Sequence, residues 1–145
     1  MADRAQLGVL VAWAARLVVA AVFVAAAAPK LVDPAAFAAA IRNYQAFPYW
    51  SWNALAALVP TLELVGAVAL LTPMRRSAAL LLGGLTLAFI ALIASVIVRG
   101  IDIGCGCFGD ATAAESVGWP LLLRDVALLA AIVAAARDPR RRASA

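Results

Sequence analysis

The chain has 145 residues, enough for one domain, and 66% of them are hydrophobic while only 14% are charged. A soluble domain of this size could not bury so much apolar surface, because small domains keep a large share of their surface in water. The net charge of +4 includes no basic stripe suited to nucleic acid, and the absence of histidine removes the commonest metal ligand and acid–base group. The composition therefore predicts a multispanning membrane protein.

Four apolar runs predict an all-α bundle of four transmembrane helices that forms a single domain over residues 1–145. The first run is long enough to cross a hydrocarbon core of about 30 Å and too long for the apolar region of a signal peptide. Pro29 and Lys30 are expected to end it, and Pro60 to kink or break the second span. The spans cover about residues 7–28, 53–71, 77–98 and 119–136, and a basic tail follows at 137–145.

A short amphipathic helix is predicted between the first two spans, at residues 35–47. Asp33 is a plausible N-cap, and Pro34 suits the first helical position. Apolar residues recur at helical spacing, but the segment is too short to span a bilayer, so we expect it to lie at the membrane interface.

The basic residues predict the orientation of the four spans. Arg4, Arg75, Arg76 and the four tail arginines fall on one side, against Lys30, Arg42 and Arg99 on the other. Seven basic residues against three place both termini in the cytoplasm and the loop at 100–118 outside it. A thiol pair in that loop would face an oxidising compartment, where disulfides persist.

The loop at 100–118 holds both cysteines of the chain, Cys105 and Cys107. Gly106 between them permits the tight turn that a disulfide between such close residues requires. A ring this small closes almost no chain, so it adds little stability, and strained exposed disulfides are typically the exchanging ones. The pattern favours thiol–disulfide exchange over a structural staple or an inert pair.

Metal binding is the alternative use of these thiols. Two thiolates without histidine are too few for a closed tetrahedral zinc site, so no metal site is predicted. Two-coordinate Cu(I) between Cys105 and Cys107, or a four-thiolate site shared across a dimer, remains open.

Charged residues inside the spans form a second candidate group. Arg16 and Glu63 each lie about ten residues from an end of their apolar run, so both are expected near mid-depth. Because a lone charge there is costly, we expect an Arg16–Glu63 pair. The functional alternative is that Glu63 relays or accepts protons for a nearby redox reaction.

Arg124, in the second turn of the last span, could pair with Asp125, Glu63 or Asp102. Alternatively, Arg124, Lys30 and Arg99 make the outer surface electropositive. Cationic neighbours lower the pKa of a thiol and raise its thiolate fraction, so Lys30 and Arg124 are predicted to support the cysteine pair.

With these residues in place, the sequence resembles the MauE branch of the MauE/DoxX family of redox-associated membrane proteins. Cys105-Gly106-Cys107-Phe108-Gly109 is similar to its most recognisable motif, and the resemblance extends over about residues 16–129. The other similar residues are Arg16, Pro29 to Phe37, Ala40 to Tyr44, Phe47-Pro48, Glu63 in Pro60 to Leu64, Trp119 and Arg124. Asp125 differs from the asparagine that is common at that position in the family.

The resemblance implies a four-helix bundle in the bacterial cytoplasmic membrane that acts beside a thioredoxin-like protein. The bundle is also similar in outline to the DsbB and vitamin K epoxide reductase families, which pass electrons from thiols to quinone. That similarity is one of architecture, and fold does not fix function.

The main hypothesis is a membrane thiol–disulfide oxidoreductase that uses Cys105 and Cys107. An extracytoplasmic thioredoxin-like protein would exchange disulfides with them, and a membrane quinone would be the other electron donor or acceptor. Glu63, Arg16 and Arg124 would orient or protonate the quinone, and Phe108 and Trp119 are further possible contacts. The alternatives are a non-catalytic membrane anchor or maturation partner for a thioredoxin-fold protein and a copper-handling thiol pair.

Overall fold

The computed structural model describes residues 2–101 and 118–137, and all regular secondary structure in these two ranges is helical. We name the α-helices α1 to α5 in chain order. A 3-10 turn, Tyr49–Ser51, leads into α3. The helices are α1 (Ala2–Val32), α2 (Pro34–Asn43), α3 (Trp52–Leu70), α4 (Arg75–Arg99) and α5 (Trp119–Ala136). The predicted all-α fold is confirmed.

Four of these helical segments are long and apolar enough to cross a membrane. They are Gln6–Val32, Tyr49–Leu70, Arg75–Arg99 and Trp119–Ala136. Large apolar side chains such as Leu10, Leu80 and Val98 are exposed on the outside of the bundle. Such an apolar exterior suits hydrocarbon, so the protein is a multi-pass membrane protein that contacts lipid.

The four long helices form a closed ring in which each helix packs against two neighbours. The ring order is α1, α3, α4, α5, and α5 returns to pack against α1. The largest core cluster joins all four helices and includes Val19, Leu70, Leu82 and Ile132, each at most 2% exposed. Close packing of this cluster fixes the helices at one end of the ring.

The sequence predicted that two prolines would interrupt their helices, but neither proline does so. Helix α1 passes through Pro29 and Lys30 and ends at Val32, and α3 is continuous across Pro60. Pro60 is fully buried between neighbouring helices. Membrane helices tolerate proline when their neighbours compensate for the lost hydrogen bond. Because α1 continues through Pro29, Lys30 becomes a helical residue that faces the bundle rather than a loop residue.

Helix α2 is the predicted short amphipathic helix, although it ends at Asn43 rather than near residue 47. The Asp33 carboxylate accepts a hydrogen bond from the Ala36 N–H at 2.9 Å, which confirms the predicted N-cap. Phe37 and Ile41 are buried in a cluster with Ala56 of α3. Helix α2 is thereby held against the same end of the ring as Lys30.

Candidate functional site

The central feature of the site is a buried ion pair between α1 and α3. The Lys30 ammonium donates to both carboxylate oxygens of Glu63, with Nζ–Oε distances of 2.7 and 2.9 Å. Lys30 is 3% exposed and Glu63 is 2% exposed. Burial makes an unpaired charge very costly, so each residue stabilises the charged form of the other. The expected Arg16–Glu63 pair is wrong, because the partner of Glu63 is Lys30.

Two aromatic rings enclose the Lys30 ammonium. Its Nζ lies 5.1 Å from the ring centroid of Phe37 in α2 and 5.3 Å from that of Phe89 in α4. Both distances are within the range of cation–π attraction. Lys30 therefore links three further elements of the bundle, since its contacts reach α2, α3 and α4.

A second ion pair lies in the second turn of α5. The Arg124 guanidinium donates to the Asp125 carboxylate, with Nη2 at 3.1 Å and Nε at 3.2 Å from Oδ1. This confirms Asp125 among the three partners expected for Arg124. The Asp125 side chain is 8% exposed, whereas that of Arg124 is 39% exposed. The carboxylate thus faces inward while the guanidinium extends toward the surface.

Both ion pairs face a cavity of about 400 Å³ between α1 and α5, which we call the fissure. Its remaining lining is apolar except for the Thr86 hydroxyl, which donates to the Leu82 carbonyl at 2.8 Å. The volume is within the usual range for small-molecule sites. The lining residues are Val18, Val22, Phe23, Ala26, Lys30, Glu63, Thr86, Phe89, Arg124, Asp125, Ala127, Leu128 and Ala131.

The fissure has a charged end and an apolar end. Val18, Val22, Ala26 and Lys30 follow one another at every fourth position of α1 and form a single row on one face. At about 1.5 Å per residue, that row is about 18 Å long. The four charged residues lie toward Lys30, and only apolar side chains line the opposite end.

Arg16 lies at the other end of the bundle from Lys30. Its Nε donates to the Ala135 carbonyl at 3.0 Å, and its Nη2 donates to the Arg137 carbonyl at 3.1 Å. These carbonyls belong to the C-terminal end of α5, where a cation is favourable. Arg16 is therefore level with the C-terminal end of α5, away from Glu63, and it does not line the fissure.

Arg99 joins the end of α4 to the end of α2, immediately before the cysteine loop. Its Nη2 donates to the Tyr44 carbonyl at 2.7 Å, and its Nη1 lies 3.5 Å from the Gln45 carbonyl. The Tyr44 side chain is buried, and burial, together with the nearby Asp125 carboxylate, raises the pKa of its phenol to about 12. The segment that enters the cysteine loop is thus held at the charged end of the bundle.

The structure brings together three of the predicted site residues, Lys30, Glu63 and Arg124, on one fissure. Trp119 is 67% exposed at the start of α5 and does not line it. Cys105, Cys107 and Phe108 lie outside the described residues, so the predictions for them stay predictions. No sequence pattern pointed to Thr86 or Phe89, because both lie in an apolar run whose inward face only the packing reveals.

Comparison with known proteins gave consistent matches to one family. The family model described as "Methylamine utilisation protein MauE" matches residues 8–137. The methylamine utilization protein MauE of Paracoccus denitrificans is 36% identical over 129 residues, which are 88% of this chain and 69% of that protein. No solved structure matches the chain.

Two further relatives carry the same description. MauE of Methylophilus methylotrophus is 39% identical over 120 residues, or 81% of this chain and 63% of that protein. MauE of Paracoccus versutus is 33% identical over 129 residues, or 88% of this chain and 69% of that protein. The chain therefore spans about two thirds of the length of these relatives.

Proposed function

The chain belongs to the MauE family of methylamine utilisation membrane proteins, and from that premise we propose that it is a membrane thiol–disulfide oxidoreductase. Cys105 and Cys107 would cycle between dithiol and disulfide. An extracytoplasmic thioredoxin-like protein would exchange with them through a mixed disulfide, and a membrane quinone would exchange electrons with them. The fissure between α1 and α5 is the observation that carries the proposal.

The positions of the described residues on either side of the cysteine loop support coupling between the thiols and the fissure. The described chain enters the loop after Arg99, which is held to the end of α2, and leaves it at Gly118, just before α5. Arg124 and Asp125 follow in the second turn of α5. Both flanks of the loop are thus at the end of the bundle that carries the four fissure charges.

The proposed electron transfer balances without any further reactant. Oxidation of the dithiol breaks two S–H bonds, forms one S–S bond and releases two electrons and two protons. A bound quinone would supply the acceptor for both electrons and both protons and would leave as the quinol. The same reaction in reverse would reduce the disulfide, so the equilibrium potentials of the two couples set the direction.

The charged residues of the fissure are suited to transferring the protons of this reaction. Glu63 and Asp125 are carboxylates that accept hydrogen bonds, while Lys30 and Arg124 donate them. We propose that Glu63 moves protons between the thiol side and the quinone oxygens, and that Lys30 holds the Glu63 carboxylate in place. Arg16 has no part in this proposed chemistry, because its guanidinium bonds carbonyls at the C-terminal end of α5 and does not line the fissure.

We also propose the orientation that the basic residues predict, in the bacterial cytoplasmic membrane. The Arg75–Arg76 turn would face the cytoplasm together with the N-terminal end of α1 and the tail. The Lys30 end, with the cysteine loop, would face the opposite side, where the thioredoxin-like partner would have access. Cysteine-accessibility labelling of single-cysteine variants from each side of sealed vesicles checks this arrangement.

The decisive experiment traps the exchange intermediate. In Cys105→Ser and Cys107→Ser variants, the remaining thiol cannot resolve a mixed disulfide, so a thioredoxin-fold partner should stay covalently attached in at least one of them. Mass spectrometry of the trapped species identifies it. No trapped partner in either variant, with wild-type thiols that are never oxidised, overturns the proposal. Full activity of the double serine variant would instead assign the protein to anchoring.

A further inference from the structure

We infer that the fissure binds a long-tailed prenyl quinone that enters sideways from the lipid between α1 and α5, with its ring at the Lys30–Glu63 pair. This inference rests on the proposed quinone coupling and adds the route, the orientation and the residues that hold the tail. Its two supports are the shape of the cavity and the balance of its charges.

The shape of the fissure fits a ligand with a compact head and a long tail. Helices α1 and α5 are joined at the Arg16 end, where Val19, Ile132 and Ala135 share a core cluster. Toward Lys30, the fissure separates them, and the small side chains of Ala26 and Ala131 leave room along both walls. The apolar part of this row, from Val18 to Ala26, is about 12 Å long, which suits the first part of a hydrocarbon chain that continues into the lipid.

The edges of the fissure are open to the surroundings of the bundle. Val18 on the α1 edge is 60% exposed, and Ala127 on the α5 edge is also exposed. Both residues face the apolar exterior that contacts lipid. A membrane-dissolved ligand can therefore reach the charged end without passing through water.

The balance of charges in the fissure favours a ligand whose head group is neutral. Lys30 is paired with Glu63, and Arg124 with Asp125, so the four charges cancel. A phosphate headgroup would find no excess positive charge there, whereas a quinone ring is neutral. Its carbonyl oxygens can accept hydrogen bonds from the two cations, and the hydroxyls of the quinol can donate to the two carboxylates. Both redox states are thus accommodated, as reversible electron transfer requires.

The test narrows the apolar end and leaves the charged end intact. Val18→Trp fills the α1 wall, and Leu17→Trp is its matched control, because Leu17 is 56% exposed but does not line the fissure. Ala131→Phe fills the α5 wall, with Ala130→Phe as the control on the exposed side of the same helix. The full chain is reconstituted in phosphatidylcholine nanodiscs and titrated with ubiquinone-10 and with the tailless ring analogue ubiquinone-0.

The expected result is that each fissure variant weakens ubiquinone-10 binding about tenfold, a change of about 1.4 kcal/mol. Binding of ubiquinone-0 should change little, and both controls should behave like the wild-type protein. Unchanged ubiquinone-10 affinity in Val18→Trp and Ala131→Phe overturns the inference. So does a wild-type protein that retains phosphatidylcholine but binds no quinone. Trapping of the thiol partner is a separate measurement, so failure of the tail site and failure of the exchange chemistry are distinguishable.

Discussion

Helix α1 buries two cations at opposite ends of the bundle, and their partners differ. Arg16 is 6% exposed and donates to backbone carbonyls at the end of α5, whereas Lys30 is 3% exposed and donates to the Glu63 carboxylate. Carbonyls need a donor but carry no full charge, so Arg16 closes the end of a helix. A carboxylate can take up and release a proton, so Lys30 positions a group, the Glu63 carboxylate, that can transfer protons.

The packing around the two cations differs as well. Around Arg16, the helices meet in the dry cluster that contains Val19 and Ile132. Around Lys30, two ion pairs border a cavity of about 400 Å³. Burying ion pairs costs stability, and a cavity beside them removes packing contacts, so the combination of the two around Lys30 indicates a site kept for function. We call the Arg16 end, where this cluster packs the four helices together, the packed end of the bundle.

Separating the Lys30–Glu63 pair should have the largest effect. Lys30→Met or Glu63→Leu leaves one buried charge without its partner, which costs about 3–5 kcal/mol. The double variant removes both charges and replaces them with apolar groups, so its stability should return close to that of the wild-type protein. Unfolding in detergent measures all four members of this double-mutant cycle.

Activity should not recover with stability in that cycle. The double variant lacks the carboxylate that we propose moves protons, so quinone reduction by the dithiol form should remain lost. Destabilisations that simply add in the double variant would show that the two residues do not act as a pair. Recovery of quinone reduction would remove Glu63 from the proposed chemistry.

Removing the Arg16 side chain should affect stability alone. Each hydrogen bond to a charged group contributes about 1.5–3 kcal/mol, and Arg16→Leu loses those to the Ala135 and Arg137 carbonyls. We expect a loss of about 2–3 kcal/mol, since α5 can relax at its end. Quinone reduction per folded molecule should be unchanged. If turnover fell while the folded fraction stayed constant, Arg16 would have to take part in the reaction after all.

The sequence was sufficient to predict the four spans, because runs of apolar residues of that length have few other uses. It also predicted the Asp33 cap, which depends only on local chemistry. The sequence could not predict which residue pairs with Glu63, because pairing depends on how far each helix is shifted along its neighbours. Helix α1 has 31 residues against 18 in α5, so counting from the ends of each apolar run could not show that Arg16 is level with the end of α5.

Lys30 shows the second reason why the site was only partly predictable. A proline beside a lysine at the end of an apolar run is typical of a helix end, and this favoured a loop position. In the structure, α1 continues one more turn, and the side chain turns inward to Glu63. The local signal was outweighed by tertiary pairing, because a buried carboxylate requires a cation.

Helix contact at the packed end should be sensitive to a single methyl group. A Cβ at Gly66 would lie 2.6 Å from Cδ2 of Leu82, a side chain that is fully buried. Gly66→Ala should therefore destabilise the protein by about 1–2 kcal/mol, which is the usual cost of modest overpacking. Gly84→Ala is the control, because a Cβ there would meet no atom within 4 Å. Equal stabilities of the two variants would argue against close α3–α4 packing at Gly66.

At neutral pH Tyr44 gives the smallest effect, because its phenol changes the pH dependence of stability only in alkaline solution. Its folded-state pKa is about 12, raised first by burial and then by the Asp125 carboxylate, against an ordinary value of 10.0. Below pH 10 the phenol is protonated in both folded and unfolded chains, so it adds no pH dependence. Between pH 10 and pH 12 the unfolded chain loses this proton more readily, so stability falls as pH rises.

Tyr44→Phe should remove that part of the alkaline loss, so its unfolding free energy should fall less steeply from pH 10 to pH 12. Tyr49→Phe is the matched control, because Tyr49 is 81% exposed near the same end of the bundle. Its curve should keep the wild-type slope. Equal slopes for wild-type and Tyr44→Phe proteins would mean that the phenol meets water in the folded state. The charged end would then be more hydrated than its buried carboxylates indicate, and the contrast with the packed end would weaken.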